Sequence, residues 1–310
     1  MYYVAHRLFA AHDRALAAHL AHELALRVGE GHVFLPFCDT DEEDLVAEVK
    51  GRRLFELDRD RLRTLRALIA IVHGPSLDDG VCMEIGYAAA LRIPILLMTT
   101  DFQDYSTTPA GPRTCFPEPL LDTLATRTVR VPRLGVPPGD PGQTRYTAFA
   151  DRNRAQVQRA ITTCVDAVLQ LPAPKRTVIP ARTRSAVYAE PSPYTSAQGL
   201  RGLLAQHGIT ALYPTRFDDE DPLTAARADW ATARNAGRIV VDASGPETPP
   251  GAALLIGAAC ATGQPVAAYL PRSTHTHAAG REPNHRNLMI QYGVDRTLRS
   301  PDEVTAWIRT

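Results

Sequence analysis

Acidic residues on either side of one predicted strand are the part of the sequence best suited to chemistry. Asp58 falls on a predicted helix before a strongly apolar strand, and Asp78 and Asp79 follow that strand. Glu84 comes next, inside the apolar segment CMEIGYAAA, where a carboxylate needs a partner or a function. Open α/β sheets bind ligands at the carboxyl ends of their strands, so these groups could act on a bound molecule. For Asp78 and Asp79 the alternative is helix capping.

The elements that must position these carboxylates alternate between strand and helix. Apolar runs predict strands at 2–5, 33–36, 68–72 and 95–98. The segments between the strands predict four helices. The first ends near residue 28, and the others cover 54–65, 81–91 and 147–171; a loop is predicted at 132–143. Strands that are apolar on both faces are typical of a parallel sheet covered by helices on both sides. The sequence therefore predicts an α/β fold.

The second half of the chain repeats the first at an offset of 171 residues. The alignment runs without a gap from Asp58 on Asp229 to Pro94 on Pro265, and several paired glycines lie within it: Gly74 on Gly245, Gly80 on Gly251, Gly86 on Gly257. Upstream, YVAHRLF at 3–9 matches YAEPSPY at 188–194 loosely. We expect two flavodoxin/Rossmann-like units with parallel sheets, arranged as an intrachain pseudo-dimer. The expected boundaries are a catalytic domain over 1–171, a linker over 172–184 and a degenerate second unit over 185–310.

Three segments of the first hundred residues form a recognisable pattern. They are Tyr3 with Phe9, then ELDRDRL, then a strand followed by GPSLDDGVCMEIGYA. This pattern resembles the nucleoside 2-deoxyribosyltransferase family, whose signature is an Asp on a helix, a strand, and a D-x5-E-[IL]-G-Y-A element. Asp58, Asp78 and Glu84 fall at the family's spacing. The resemblance covers roughly residues 2–100 of the chain.

The resemblance implies glycosyl transfer through a covalent intermediate. Glu84 would be the nucleophile that attacks the anomeric carbon of a nucleoside, through an oxocarbenium-like transition state. Asp58 would contact the departing base or help to protonate it. Tyr3 would hold Glu84 or the sugar, and Phe9 would line the base pocket. A second base then attacks the glycosyl-enzyme; attack by water instead makes the enzyme a hydrolase.

In this family a neighbouring subunit completes each site with the Asn of an N-L-M element. Here that element occurs only in the second unit, as Asn287–Met289, while Leu255 stands at the position of Glu84 and Pro249 at that of Asp78. The resemblance therefore implies one site, to which the first unit brings the acidic residues and the second unit brings Asn287 and Met289. The alternative is that Asn287 is an ordinary loop or capping residue.

The residue at position 78 bears on the substrate. Family members that hydrolyse nucleoside 5′-monophosphates typically have a Ser there, whereas Asp is the pattern of members that take free nucleosides. A carboxylate would repel a dianionic phosphate by a few kcal/mol at an effective dielectric of about 20. Arg7 could offset that charge, or it could be a solvated surface residue. Gly80 and Met289 complete the set of residues expected to contact the substrate.

Composition narrows the range of partners. The 34 basic and 34 acidic residues cancel, so neither nucleic acid nor a membrane surface is expected as a partner. Neither Lys50 nor Lys175 follows a Gly-rich loop, which excludes a P-loop NTPase. The five cysteines form no CxxC motif and predict free thiols in the cytoplasm. The uncharged run at 248–271 predicts a helix and a strand, because prolines and glycines interrupt it.

The leading expectation is a cytoplasmic enzyme that transfers the sugar of a nucleoside to a free nucleobase, without metal or organic cofactor. One alternative is an N-glycoside hydrolase of nucleosides or their 5′-monophosphates, which would serve nucleotide salvage or a specialised nucleoside pathway. The other is a non-catalytic nucleoside- or nucleotide-sensing protein. His275, His277 and His285 predict a polar loop rather than a metal site. Base preference, the choice of ribose or deoxyribose, and the assembly of pseudo-dimers into homo-oligomers remain open.

Overall fold

The computed structural model describes residues 1–40, 50–131, 142–175, 183–195, 199–277 and 282–310. It contains two parallel β-sheets, of five and four strands, each flanked by helices. The predicted α/β class with two flavodoxin- or Rossmann-like units is therefore confirmed. We call the five-stranded sheet and its helices unit one, and the four-stranded sheet and its helices unit two. Most of the predicted loop at 132–143 and the centre of the predicted linker lie outside the described residues.

Strands and helices alternate along both units. In chain order, unit one contains β1 (Tyr2–Ala5), α1 (Ala11–Val28), β2 (Val33–Phe34), α2 (Lys50–Leu62), β3 (Ala67–Ile71), α3 (Asp79–Ala90), β4 (Ile95–Thr99), α4 (Pro119–Leu124), β5 (Arg127–Arg130) and α5 (Arg145–Leu169). Unit two contains β6 (Thr183–Glu190), α6 (Leu200–Gln206), α7 (Pro222–Asn235), β7 (Ala236–Asp242), α8 (Pro250–Thr262), β8 (Val266–Tyr269), α9 (Leu288–Gly293), β9 (Arg296–Leu298) and α10 (Pro301–Arg309). Strand β6 begins two residues before the predicted start of the second unit.

The two sheets have corresponding strand orders. Unit one runs β2-β1-β3-β4-β5 and unit two runs β6-β7-β8-β9, with every pairing parallel. Tyr3 of β1 lies opposite Leu68 of β3, and Tyr188 of β6 lies opposite Ile239 of β7. Leu68 and Ile239 are separated by the 171-residue offset of the repeat. Strand β6 therefore holds the place in unit two that β1 holds in unit one.

Side chains alternate between two cores because successive strand residues point to opposite faces of a sheet. In β3, Ile69 and Ile71 join α1 and α5 in the outer core of unit one. Leu68 and Ala70 face the opposite way, into a core that also contains Ile239 and Val241 of unit two. Helices α6 and α10 cover the outer face of the second sheet. The two units thus share their central hydrophobic core.

Helices α3 and α8 cross at the centre of that shared core, with glycine against backbone. A Cβ atom at Gly86 would overlap the carbonyl oxygen of Leu254, and a Cβ atom at Gly257 would overlap that of Met83. The 171-residue offset relates Gly86 to Gly257 and also Met83 to Leu254. The contact is therefore reciprocal, as at the interface of a twofold-symmetric dimer. Only glycine allows the two backbones to approach so closely.

Several predicted elements differ at their ends by one to four residues, and three of these differences have a local cause or bear on the site. Strand β2 ends at Phe34 and not at Pro36, because Pro36 has no N–H group and Phe37 adopts a φ of 71°. Helix α2 begins at Lys50, four residues earlier than predicted, because its charged first turn carries no apolar signal. Helix α3 begins at Asp79, so Glu84 lies in its second turn and not in its first.

The uncharged run at 248–271 forms α8 and β8, as predicted. Both elements lie in the shared core. Among the described residues, no helix combines the length and the apolar character that crossing a membrane requires.

Candidate functional site

A cavity of about 430 Å³ opens where the carboxyl ends of the unit-one strands face unit two. Residues from both units line it. Unit one contributes His6, Leu8, Phe9, Pro36, Asp58, Asp78, Asp79, Gly80, Val81 and Glu84. Unit two contributes Pro246, Glu247, Thr274, Thr276, His277, Asn284, His285, Arg286, Asn287, Leu288 and Met289. A cavity of this size is suited to a small organic molecule.

Glu84 is a buried carboxyl group of this cavity, only 6% exposed. Its helix α3 is otherwise apolar because α3 also forms the core between the units. The Tyr3 hydroxyl, on β1, donates a hydrogen bond to Glu84 Oε1. Burial raises the pKa of Glu84 well above its ordinary range, the charge of Asp58 raises it further, and the bond from Tyr3 opposes both effects. Glu84 thus has the strongly perturbed environment typical of a reactive carboxyl group.

Asp58 lies on α2, on the same cavity, and is 7% exposed. Its helix is otherwise rich in Arg, and its apolar side faces the shared core through Phe55 and Leu62. Asp58 therefore stands close enough to Glu84 for their charges to interact. Two such carboxyl groups favour a state in which one of them holds a proton.

Asp78 has two roles in the structure. Its Oδ1 accepts a hydrogen bond of 2.9 Å from the Val81 N–H, so it caps α3, which is the alternative raised by the sequence. It also lines the cavity. Burial raises the pKa of Asp78 to about 7, and the neighbouring charge of Asp79 contributes. Asp79 Oδ2 accepts a hydrogen bond of 3.1 Å from the Thr248 N–H of unit two, which ties the two units together at the cavity.

Arg7 lies beside the cavity rather than in its wall. Its Nε is 3.7 Å from Asp78 Oδ2, and its Nη2 is 3.6 Å from Glu247 Oε1 of unit two. Nη2 also donates a hydrogen bond of 3.1 Å to the Ser76 carbonyl oxygen. The guanidinium is therefore shared between two carboxylates and a carbonyl group, and Glu247 adds a third acidic residue to this end of the cavity.

Asn287 is the N-cap of α9, and its Oδ1 accepts a hydrogen bond of 3.0 Å from the Met289 N–H. The capping alternative is thus realised by the oxygen of the amide. The nitrogen points elsewhere, since a Cβ atom at Gly80 would lie 2.6 Å from Asn287 Nδ2. Gly80 therefore makes room for the amide of Asn287 at the cavity wall. Met289 follows in the same wall and is 6% exposed.

The structure brings Phe9, Asp58, Asp78, Gly80, Glu84, Asn287 and Met289 into one cavity wall. Phe9 lines the cavity and is 73% exposed. Tyr3 and Arg7 do not line the cavity themselves but contact Glu84 and Asp78, which do. Tyr3 is fully buried, so it is placed to hold Glu84 rather than a sugar.

Apart from Asn287 and Met289, the unit-two wall is the part that sequence reasoning missed. Glu247 lies in the loop before α8, and Thr276, Asn284 and Arg286 lie in the loop before α9, where Thr276 and Asn284 form an antiparallel bridge. Arg286 Nη2 donates to the carbonyl oxygens of Ala243 and Gly245 at 2.8 and 2.9 Å. Asn284 and Arg286 could have been noticed from their adjacency to Asn287 along the chain, whereas Glu247 has no such signal.

His277 and His285 line the cavity, whereas His275 does not appear in its wall. Within the described part of the chain, no group of three or more His, Cys, Asp or Glu residues could hold a metal ion. The arrangement offers two interacting buried carboxyl groups, which is the chemistry that nucleophilic attack and proton transfer require, and polar groups that could position a ligand.

Comparison with known proteins gives one family match. Residues 2–137 match the family model described as nucleoside 2-deoxyribosyltransferase, which extends the resemblance beyond the first hundred residues and confirms it. Among solved structures, the chain is similar to one titled as a conserved protein from Enterococcus faecalis V583, at 19% identity and a TM-score of 0.33, over 55% of this chain and 96% of that chain. Curated proteins give no match.

Proposed function

We propose, on the premise that residues 2–137 match the nucleoside 2-deoxyribosyltransferase family model, that the chain is a pentosyl-transferring enzyme. It cleaves the N-glycosidic bond of a nucleoside and transfers the sugar to another nucleobase. The observation that carries the proposal is Glu84: a buried carboxyl group in the wall of a nucleoside-sized cavity, held by Tyr3 and beside a second carboxyl group, Asp58.

The first step forms a glycosyl ester. The ionised Glu84 attacks the anomeric carbon, a C–O bond forms, and the C–N bond to the base breaks with its electron pair going to the base nitrogen. The positive charge that develops on the sugar is stabilised by the adjacent carboxylate. Tyr3 holds one oxygen of Glu84 in place, so the other oxygen is the one available for bonding.

Asp58 supplies the proton that the departing base needs. Mutual repulsion between Asp58 and Glu84 favours the state with one proton on the pair. When that proton resides on Asp58, Glu84 is free to act as nucleophile and Asp58 is ready to act as acid. The second step reverses these roles: an incoming base loses a proton to Asp58 and its nitrogen attacks the sugar, which releases Glu84. Water in place of the base would yield the free sugar.

Free nucleosides suit the cavity better than 5′-monophosphates. Asp78, Asp79 and Glu247 lie together at one end of the cavity, and Arg7 there is already shared between Asp78 and Glu247. Under the proposed roles, the sugar's 5′-hydroxyl donates a hydrogen bond to Asp78. A dianionic phosphate in the same position would face net negative charge, which costs a few kcal/mol at an effective dielectric of about 20.

We also propose that the chain arose by duplication and that its two copies divide the work between them. Three observations support this: the corresponding strand orders, the reciprocal contacts of Gly86 and Gly257, and the position of Asn287 against Gly80. In this proposal, the catalytic domain spans 1–171 and a degenerate unit, which begins at Thr183, completes its site through Asn287 and Met289. Leu255 occupies the nucleophile position in the second copy, so only one site can react.

Product analysis tests the proposal. The full-length chain is incubated with each 2′-deoxynucleoside, with and without a second free base, and the products are resolved by chromatography. A new nucleoside that forms only with the second base is the expected result. Free base and sugar, formed whether or not a second base is present, would indicate a hydrolase.

A Glu84→Gln variant serves as the matched control, because it preserves shape and removes the nucleophile. It is expected to give no product with any substrate. Binding of nucleosides without product from the unmodified chain would contradict the enzyme proposal and favour a sensing protein.

A further inference from the structure

Unit two contains its own counterpart of the candidate site. Because β6 pairs with β7 as β1 pairs with β3, Tyr188 takes the place of Tyr3 and Glu190 takes the place of Ala5. The 171-residue offset identifies the other corresponding positions: Asp229 corresponds to Asp58, Gly251 to Gly80 and Leu255 to Glu84. The second locus therefore keeps the helix aspartate and the glycine, loses the nucleophile, and gains a new carboxylate.

Glu118 of unit one is the counterpart of Asn287. Each residue is the N-cap of the helix before the last strand of its sheet, and each side chain accepts a hydrogen bond from the N–H two residues further on. Each also reaches the other unit: Asn287 lies against Gly80, and a Cβ atom at Gly251 would lie 2.8 Å from Glu118 Oε2. The loops before them each contain one antiparallel bridge. Glu118 thus closes the second locus from unit one.

The side chain of Arg216 fills the second locus. Arg216 is completely buried, and its Nε and Nη2 donate to the two carboxylate oxygens of Glu118 at 2.6 and 3.0 Å. Nη2 also donates to Glu190 Oε1 at 2.5 Å, and Nη1 lies 3.4 Å from Asp229 Oδ2. The guanidinium rests against Gly251, where the amide of Asn287 rests against Gly80 in the first site.

The charges of this cluster match a bound cation rather than a simple surface ion pair. Three buried carboxylates from three different elements converge on one guanidinium, and the contact with Glu118 is bidentate. The Phe217 ring lies 4.6 Å from the guanidinium carbon and adds a cation–π contact. Phe217 also lines a surface cavity of about 240 Å³, together with Tyr105 and Thr114, so the locus lies close to solvent.

We propose that the second locus is a binding site for a guanidinium-type cation, permanently occupied by the chain's own Arg216. This proposal does not depend on the proposed function, since it rests only on the contacts of Arg216 with Glu118, Glu190 and Asp229. The tethered guanidinium takes the place that a ligand would take, and through Glu118 it fastens unit one to unit two. One consequence is that, of the two loci of the same design, the first opens onto a cavity and the second is filled by a buried side chain, in the part of the chain that the structure describes.

Removal of the tethered cation, followed by addition of a free one, tests the proposal. Arg216→Ala is expected to lower the melting temperature by on the order of 10 °C, because it leaves buried carboxylates without their partner. Methylguanidinium at millimolar concentration is then expected to restore part of the loss in a saturable manner, measured by thermal unfolding at constant ionic strength. Urea, which is planar but uncharged, and sodium chloride are expected to restore nothing.

Two matched controls accompany this measurement. Arg201→Ala removes an exposed arginine that stacks on Tyr213, and it should neither lower the melting temperature appreciably nor respond to methylguanidinium. The unmodified chain should not respond either. A folded Arg216→Ala variant that shows no saturable recovery, or that melts at the same temperature as the unmodified chain, would overturn the proposal.

A complementary variant decides the matter if Arg216→Ala does not fold. Glu118→Ala keeps the cation and removes its bidentate acceptor, so formate at millimolar concentration is expected to raise its melting temperature. Formate should leave the unmodified chain unaffected. The proposal would be overturned if Glu118→Ala melted at the same temperature as the unmodified chain, or if formate had no effect on the variant.

Discussion

The Tyr3 hydroxyl donates a hydrogen bond to Glu84 across the gap between β1 and α3. The two residues are 81 positions apart in the sequence; Tyr3 lies in the shared core of the two units and Glu84 lies in the cavity wall. Tyr3 is the group that lowers the pKa of Glu84, whereas burial, Asp58 and Asp78 all raise it. The ionisation of Glu84 is therefore a balance that single substitutions should shift in known directions.

The first prediction concerns the pH dependence of activity. In the proposed mechanism Glu84 must be ionised to attack the sugar, so activity should rise with pH through its pKa. Tyr3→Phe removes the bond that favours the ionised form and should move this limb of the kcat/KM profile to higher pH. Asp78→Asn removes a neighbouring negative charge and should move it to lower pH.

The matched control is Tyr188→Phe, which changes the corresponding tyrosine of unit two. Its profile should coincide with that of the unmodified chain. Shifts of the same sign in Tyr3→Phe and Asp78→Asn would argue against Glu84 as the group that controls the limb.

The second prediction concerns the stability of Glu84→Gln. The pKa of Glu84 is raised in the folded chain, so folding favours its neutral form. Its contribution to stability is present at acid pH and is lost as the pH rises through the folded-state pKa. Gln is neutral throughout. The melting temperature of Glu84→Gln should therefore match that of the unmodified chain at about pH 4 and exceed it increasingly toward about pH 8, while kcat/KM falls by on the order of 10³-fold or more.

Differential scanning calorimetry over that pH range checks the stability part. A Glu56→Gln variant, which changes an exposed Glu of α2, serves as the control and should show no such trend. A melting temperature for Glu84→Gln that lies below that of the unmodified chain at high pH would contradict the prediction.

The third prediction separates the two roles of Asn287. Asn287→Ser keeps a side-chain oxygen that can cap α9 and loses the amide nitrogen beside Gly80. We expect it to keep its melting temperature within about 2 °C, because caps of this kind are worth about 1 kcal/mol and Ser is a good one. Activity should fall by roughly 10- to 100-fold, since a hydrogen bond to the substrate is lost.

Asn287→Ala completes this comparison. It should lose the same activity as Asn287→Ser and, in addition, about 1 kcal/mol of unfolding free energy. Unchanged activity in Asn287→Ser would show that Asn287 is a capping residue alone.

The fourth prediction concerns the crossing of α3 and α8. A Cβ atom at Gly86 would overlap the Leu254 backbone, which cannot move without displacing α8. Gly86→Ala should therefore cost roughly 2–4 kcal/mol of unfolding free energy. Gly257→Ala should cost a similar amount, because its contact with Met83 is the reciprocal one. Gly31→Ala is the control, since a Cβ atom there would meet nothing within 4 Å; equal stability of all three variants in urea unfolding would contradict the described packing.

The fifth prediction concerns 5′-phosphates. Asp78→Ser should improve the binding of a nucleoside 5′-monophosphate relative to the free nucleoside, because one carboxylate is replaced by a neutral donor. Adding Glu247→Gln should improve it further by releasing Arg7 from its partner in unit two. Isothermal titration calorimetry should show that monophosphate affinity rises by about 10-fold or more from the unmodified chain to Asp78→Ser. It should rise by a similar factor again from Asp78→Ser to the Asp78→Ser/Glu247→Gln chain. A loss of monophosphate binding on either substitution would place the phosphate elsewhere.

Local patterns predicted much of the fold. Continuous apolar runs such as Ala67–Ile71 marked the buried strands, and the Asp78–Gly80 turn marked the start of α3. Strand β2 is shorter than the apolar run 33–36, because Pro36 has no backbone N–H group and hydrophobicity alone does not reveal this. The start of α2 was missed because its first four residues, KGRR, include no large apolar side chain and give no apolar period.

The candidate site was predictable only where its residues follow a pattern. Asp58, Asp78 and Glu84 lie within one short stretch of the sequence and match one motif, so they could be predicted together. Glu247 and Arg286 belong to loops whose place depends on how unit two packs against unit one, and no local signal reports that packing. Arg216 is the clearest case, because nothing in TRFDDEDP distinguishes a buried arginine from a surface one.

Glu84 and Asn287 belong to one polypeptide, and this determines how the cavity depends on protein concentration. Its two walls are held together by packing of α3 against α8 within one chain. The effective concentration of one wall relative to the other therefore does not change on dilution. A site built between separate chains would come apart at low concentration as the chains dissociate. Here the cavity is complete in each molecule, so the fraction of chains with a formed site is the same at nanomolar and at micromolar concentration.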